Sequence, residues 1–369
     1  MATNATSKYL VHFFLFFFFV LPTTVTFAFN LPRNPAHHSH VRCEMATRHA
    51  SSTTASPSSP ITSSPEASDG STRRELLESY GRLGVGLGAS ALFPWIPSSA
   101  LAASRPSSDA PVAVLGARGK TGRLIVQQLL AEGKKVRALS YQPFEYDAKK
   151  DLPVNVDLSL LTYAIGDVTK YDTLSDAIRG SSAVIFASSA SKKGGNAQAV
   201  DCDGVENIAR AAISEKIPRL LVISSGAVTK PDSFGYKVTN MFARGIMGLK
   251  LEGEDRLRAL YRSSAPAGVT YTVLRPGGLS NDKGLGVIGL ELNQKDTIIG
   301  EISRNDVAAV AVHAITAPEA ADVTFEVYEI GRRTPLQPEF PKESGMERRA
   351  EKWEDIFKGL VKDQDLQIA

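Results

Sequence analysis

Cysteine is nearly absent: among 369 residues only Cys43 and Cys202 carry thiols. Cys43 lies in the first hundred residues, so the rest of the chain can form no internal disulfide. A disulfide scaffold and a cysteine-rich zinc site are excluded. Histidine is also scarce, and of the six all but His313 fall before residue 50, so no metal site is expected. Charge of either sign is in small excess at most, 42 Lys and Arg against 39 Asp and Glu for a formal +3. Because the cations are not gathered into one run, no nucleic-acid partner is expected. Long apolar runs are missing too. The longest, Tyr9 to Leu21, is interrupted by His12, closed by Pro22, and shorter than the roughly 20 residues a spanning helix needs.

Acidic residues are sparse where that run ends. From Asn30 to Ser71 the chain is rich in Ser, Thr, Pro, His and Arg and has only Glu44, Glu66 and Asp69 as acids, a composition that cannot bury a core. An apolar signal core followed by Phe27-Ala28-Phe29 and a hydroxylated, acid-poor stretch resembles a bipartite plastid-targeting leader. An ordinary secretory signal with a disordered spacer is the other reading. A third piece runs from Ser71-Thr72-Arg73-Arg74 through a weakly apolar Leu83–Ile96 to Ala100-Leu101-Ala102. It resembles a twin-arginine thylakoid-transfer signal, or else it is an amphipathic first helix with solvated arginines. The organisation expected is therefore a targeting leader over 1–102, a dinucleotide-binding domain over 103–335 and a tail over 336–369. Plastid residence, in stroma or thylakoid, follows from the leader, with thylakoid or envelope membrane association left open.

The remaining residues, roughly 265, suit one α/β domain. Pro111 to Leu115 is a short apolar, β-branched run, and Thr121 to Ala131 has helical spacing of its apolar residues. Between them stands Gly116-Ala117-Arg118-Gly119-Lys120-Thr121-Gly122. Strand, glycine turn and helix start, in that order, form the dinucleotide fingerprint. Gly116 serves the tight turn, Gly119 the approach of backbone to pyrophosphate, and Gly122 the close packing of helix on sheet. The helix N-terminus offers amide N–H groups to the phosphates. The next strand, Lys135 to Leu139, ends at Ser140-Tyr141, where an NAD enzyme usually places an acid for the ribose hydroxyls. With that carboxylate missing and Arg118 and Lys120 in the loop, NADP(H) is expected over NAD(H).

The alternation continues. Strands Leu160–Ile165, Ala183–Ala187, Leu220–Ile223 and Tyr271–Leu274 end on Gly166-Asp167-Val168, Ser188-Ser189, Ser224-Ser225-Gly226 and Arg275-Pro276-Gly277-Gly278. Helical stretches Asp172–Ile178, Ala197–Ser214 and Arg244–Tyr261 separate them. A doubly wound parallel Rossmann sheet is predicted, with its cleft at the carboxyl ends of the strands. Further on, Met346–Leu360 shows Trp353, Ile356, Phe357 and Leu360 at helical spacing. A helix packing back on the domain is predicted, with docking of a protein partner as the alternative.

The glycine loop, Gly166-Asp167-Val168, Asp203-Gly204-Val205-Glu206-Asn207-Ile208, Leu221-Val222-Ile223-Ser224-Ser225, Thr272 to Leu279 and Ile302 to Ala308 are similar, in order and spacing, to the NmrA-like atypical short-chain dehydrogenases/reductases, plastid members above all. The resemblance covers roughly Val112 to Ile330. It implies that Asp167 and Val168 flank the adenine, that Ala187 and Ser188 line the nicotinamide ribose, and that Lys250 contacts that ribose, with Pro276 also at the cofactor. Ordinary members carry a Tyr-x-x-x-Lys pair on one helical face, the lysine lowering the phenol pKa so that it can relay a proton. Here Ile246 stands four residues before Lys250, and Lys250 to Glu254 resembles the Lys-x-x-x-Glu helix of atypical members. The bland reading of Lys250 is a surface lysine pairing with Glu254. Tyr236 has Asn240 four residues on and does not restore the pair, although the loop expected before that helix could swing it into the site.

The catalytic candidates are therefore Lys250, Ser224, Ser225 and Tyr236. Without the phenol, an acceptor that can hold the charge left by hydride, such as a quinone, flavin or conjugated compound, suits the site better than a simple carbonyl. The rival is an NADP(H)-binding redox sensor or scaffold that catalyses nothing. A sugar-nucleotide epimerase is weaker, since those enzymes generally need the same tyrosine.

Overall fold

The computed structural model describes residues 109–152, 156–190, 195–242, 245–336 and 344–366. The leader reading of residues 1–102 lies outside them. The chain enters through β1 (Val112–Leu115), α1 (Lys120–Ala131), β2 (Val136–Ser140), β3 (Leu161–Ile165), α2 (Leu174–Ile178) and β4 (Ala183–Phe186). A π-helical turn, Gln198–Cys202, then leads into α3 (Asp203–Ser214). Next come β5 (Arg219–Ile223), α4 (Phe234–Phe242), α5 (Ile246–Ser264) and β6 (Thr270–Pro276). The last part holds β7 (Gly278–Ser280), β8 (Leu290–Asn293), β9 (Ile298–Ile299), β10 (Glu301–Ser303), α6 (Arg304–Ala314), β11 (Val323–Glu329), β12 (Thr334–Pro335), α7 (Trp353–Ile356) and α8 (Asp363–Leu366).

One eight-stranded sheet has the order β3-β2-β1-β4-β5-β6-β11-β8. Every pairing in it is parallel except β8 against β11. The central strands β1 and β4 are buried along their whole length, as a sheet covered on both faces demands. Helix α1 turns Ile125, Val126, Leu129 and Leu130 inward, at i, i+1, i+4 and i+5, onto the face shared with Val307, Val310 and Ala311 of α6. Helices α2, α3 and α5 cover the other face through Leu174, Ile178, Val205, Ile208, Ala212, Leu257 and Tyr261. The strand order reverses between β1 and β4, so a crevice opens where their connections run to opposite faces.

Sequence spacing overstates the final helix. Within Met346–Leu360 only Trp353–Ile356 is helical. The tail is instead a strap: Arg348 exchanges backbone hydrogen bonds with Leu292 on the open edge of β8. His313 stacks on Trp353 at 4.3 Å, and Ile356 and Phe357 are buried in the main core. Phe357→Ala is expected to destabilise the chain by about 3–5 kcal/mol, read by denaturant unfolding. A loss under about 1 kcal/mol would mean the strap is dispensable. Among the described residues no helix is long and apolar enough to cross a membrane.

Candidate dinucleotide site

Leu115 ends β1 and the backbone turns at Gly116 with φ +77°, a left-handed conformation that costs a side chain dearly. A Cβ there would lie 2.8 Å from the Ala187 carbonyl and the Ser188 nitrogen, so the turn abuts the end of β4 directly. Gly119 donates its N–H to the Gly116 oxygen at 2.8 Å and caps α1 with no side-chain hydrogen bond. The first amides of α1, from Lys120 and half-buried Thr121 onward, are thus left without a side-chain cap, as anion binding requires. Gly122 fixes the tilt: a Cβ on it would sit 2.2 Å from the Gly116 oxygen. This cradle fits a dinucleotide pyrophosphate.

Arg118 and Lys120 are both exposed, the Arg118 guanidinium 5.9 Å from the Phe144 ring centre. The loop after β2 is strapped over the glycines, because the Tyr146 hydroxyl donates to the Ala117 carbonyl at 2.7 Å. Burial, then neighbouring Tyr163, pushes that phenol well above its ordinary pKa, so it stays a donor. Ser140 closes β2, buried, with its carbonyl accepting from the Gly166 N–H at 2.9 Å. Asp167 folds the next loop, accepting from Thr169 N–H at 3.0 Å and Thr169 Oγ1 at 2.7 Å. Val168 is buried against Gly204, and its carbonyl accepts from Asn207 Nδ2 at 3.0 Å. Ala187 and Ser188 are half-buried beside the glycine turn. These residues meet along the carboxyl ends of β1 to β4.

The second half of the crevice holds Lys250. Its Nζ lies 2.7 Å from Asp201 Oδ1 and does not pair with Glu254. Glu254 points deeper, to Arg275 at 2.6 Å and Arg258 at 2.7 Å. Burial alone would raise the Glu254 carboxyl, but the Arg275 and Arg258 guanidiniums outweigh it and bring its pKa down to about 2. Ile246, one turn before Lys250, is buried, and no phenol occupies that turn. Ser224 follows β5; its buried hydroxyl lines a small cavity with Lys250, Asp201 and Glu254. Ser225 Oγ donates to the Gly226 carbonyl at 3.2 Å. Pro276 is buried at the end of β6, its carbonyl accepting from Gly226 N–H at 2.8 Å. Tyr236 is not on a loop but in helix α4, packed with the cluster of Ala227, Val228, Ile246 and Met247; a Cβ added at Gly248 of α5 would lie 3.6 Å from its hydroxyl.

Three features went unseen in the sequence. Asp201 is one of two acids in Val200-Asp201-Cys202-Asp203, with nothing in the order to show which turns inward. The Glu254–Arg275 pair joins residues 21 apart. Asp296 pins the loop after β5, accepting from Ala227 N–H at 2.6 Å and from Thr229 N–H and Oγ1 at 3.0 and 2.9 Å. The consecutive left-handed residues Lys295 and Asp296 mark a tight turn, a backbone that aspartate adopts more readily than most side chains. Among the described residues no group of His, Cys, Asp and Glu is placed to hold a metal ion.

A family model described as NAD(P)H-binding matches residues 116–318. An uncharacterized chloroplastic protein of Arabidopsis thaliana is 31% identical over 246 residues, covering 63% of this chain and 79% of the relative. A UPF0659 protein of Saccharomyces cerevisiae is 30% identical over 217 residues, 58% of this chain and 90% of its own. Among solved structures, a short-chain dehydrogenase/reductase of Veillonella parvula in complex with NADP superposes with a TM-score of 0.47 at 18% identity, over 63% of this chain and 99% of the other.

Proposed function

We propose, from the premise that this chain belongs to the NAD(P)H-binding family, that it is an NADP(H)-dependent oxidoreductase of the plastid acting on a small quinoid or otherwise conjugated molecule. The observation that carries the substrate class is the turn before Lys250, where buried Ile246 stands in place of a phenol. When bound, the reduced nicotinamide supplies a hydride. Reducing a simple carbonyl requires an acid at its oxygen as that hydride arrives, whereas a quinone holds the resulting charge until water protonates it. Lys250 lines the cavity for ribose contact, and Ser224 offers a buried hydroxyl in it for the substrate; Ser225 and Tyr236 stand nearby as lesser candidates. Gly116, Gly119, Thr121 and Gly122 would hold the pyrophosphate, Asp167 and Val168 the adenine side, and Ala187, Ser188 and Pro276 the nicotinamide side.

Preference for NADP(H) is supported by exposed Arg118 and Lys120 and by Ser140, where an acid would otherwise repel a 2′-phosphate. Plastid residence is supported by the chloroplastic relative together with the leader. The rival reading, a non-catalytic NADP(H)-binding redox sensor or scaffold that docks protein partners, gains no support from Ile356 and Phe357 of the tail, which are buried in the chain's own core.

Calorimetric titration of the full chain is expected to show NADPH binding at least ~10-fold tighter than NADH, about 1.4 kcal/mol, with NADPH then consumed by quinones or enones in preference to aldehydes. Equal affinity for the two cofactors would sink the NADP(H) preference, and turnover with none of the acceptors would sink the enzyme.

A further inference from the structure

Asp201 sits in the π-helical turn Gln198–Cys202, where the backbone widens just before α3. Single π turns of this sort occur frequently at functional sites. Helix α5 is held against the turn at backbone contact: a Cβ on Gly253 would lie 2.5 Å from the Asp201 carbonyl oxygen. The Asp201 side chain is 0% exposed, yet three donors converge on it. Lys250 Nζ and Ser189 Oγ each reach Oδ1 at 2.7 Å, and the Ala190 N–H reaches Oδ2 at 2.8 Å. The other carboxylate in the cavity, Glu254, is engaged by Arg258 and Arg275. Lys250 therefore faces a single anion.

We propose that Asp201 is a positioning residue of the dinucleotide site, one carboxylate that both aims the Lys250 ammonium and anchors the Ser188–Ala190 loop at the end of β4. The proposal rests on the dinucleotide-binding reading for its ligand. A lysine ammonium is a point charge on a flexible four-carbon stem, and without a fixed counter-charge it does not hold one direction. The loop carries Ser188, whose nitrogen touches the glycine turn. Lysine, loop and glycine turn are thus set by one group. Asparagine at 201 has one acceptor oxygen and one donor nitrogen, so it cannot serve both the ammonium and the Ala190 N–H.

The test uses the full chain as wild type, D201N, S189A, K250M and D201N/K250M, each checked for native circular dichroism. The first readout is NADPH affinity. D201N is expected to weaken binding ~10-fold and S189A about 3-fold, while once Lys250 is methionine D201N still adds about 3-fold, the share carried by the loop. The second readout needs no cofactor: modification of Lys250 by trinitrobenzenesulfonate, read by peptide mass, is expected to speed up several-fold in D201N. Unchanged labelling, or a D201N loss of affinity as large without Lys250 as with it, overturns the assignment. If D201N does not fold, S189A decides, and wild-type affinity in S189A counts against the clamp. Should the wild type bind neither nucleotide, the dinucleotide reading fails, and the labelling arm alone still upholds or overturns the positioning of Lys250.

Discussion

Gly122→Ala is expected to weaken NADPH binding by ~100-fold or more, about 2.7 kcal/mol, and to lower the melting temperature, although alanine is the better helix former. Two effects compete. In an unconstrained helix the change would stabilise by about 0.5–1 kcal/mol. Here the new methyl would lie 2.2 Å from the Gly116 oxygen, 2.8 Å from its carbonyl carbon and 3.1 Å from Ala117 Cα, all backbone atoms. The turn cannot retreat, because on its far side Gly116 is already pressed against the Ala187–Ser188 peptide. The helix start must therefore lift by roughly 1 Å to restore van der Waals contact, which takes the uncapped amides of α1 off the pyrophosphate position. Overlap thus outweighs propensity. Calorimetric titration and thermal unfolding read both effects, and a variant that bound NADPH like the wild type and melted at or above it would show that this contact does not set the site.

The glycine turn was legible because its chemistry is local: seven consecutive residues between a strand and a helix carry the whole cradle. The parallel alternation was legible for the same reason, each strand run ending on small or polar residues that become the crevice rim. Residues whose roles depend on distant partners were not. Lys250 and Glu254 stand four apart on α5, a spacing that reads as a surface pair, yet Gly253, Glu254, Leu257, Arg258 and Tyr261 form the buried face of that helix. Their counter-charges come from Arg275 on β6 and Asp363 in the tail, which no local pattern connects. The tail failed in the opposite direction. Trp353, Ile356, Phe357 and Leu360 have helical spacing, but that spacing serves a strap crossing the core, broken at Gly345 and Gly359 by left-handed backbone.

The buried charges beneath the site lead to the second large effect. Glu254 is 1% exposed between Arg258 and Arg275, which are 5% and 1% exposed, and Arg275 also reaches Glu326 at 3.2 Å. Removing one partner of a buried pair leaves charge in a medium that cannot solvate it, so Glu254→Gln is expected to cost about 3–5 kcal/mol, a melting shift of roughly 10 °C for a domain of this size. Arg258 keeps Asp363, which holds the loss toward the lower figure. The pH dependence has a definite sign. The Glu254 carboxyl, though burial opposes it, is drawn by the two guanidiniums from 4.5 down to about 2. Its contribution is present above the unfolded value and is lost as pH falls from about 4.5 through about 2. Glu326 runs the other way: burial and then Asp296 raise it to about 8 despite Arg275. Its contribution is complete below 4.5 and drains away as pH rises through about 8. Stability of the wild type is therefore expected to fall on both sides of about pH 4.5, and Glu254→Gln to flatten the acid limb most, while the limb from about 4.5 to about 8 becomes shallower as Arg275, relieved of Glu254, pulls the Glu326 pKa down. Urea unfolding at a series of pH values separates the two limbs. An acid limb in the variant as steep as in the wild type would mean that other carboxylates hold the core together, and that Glu254 serves the cavity it shares with Lys250 and Ser224 without governing the stability beneath it.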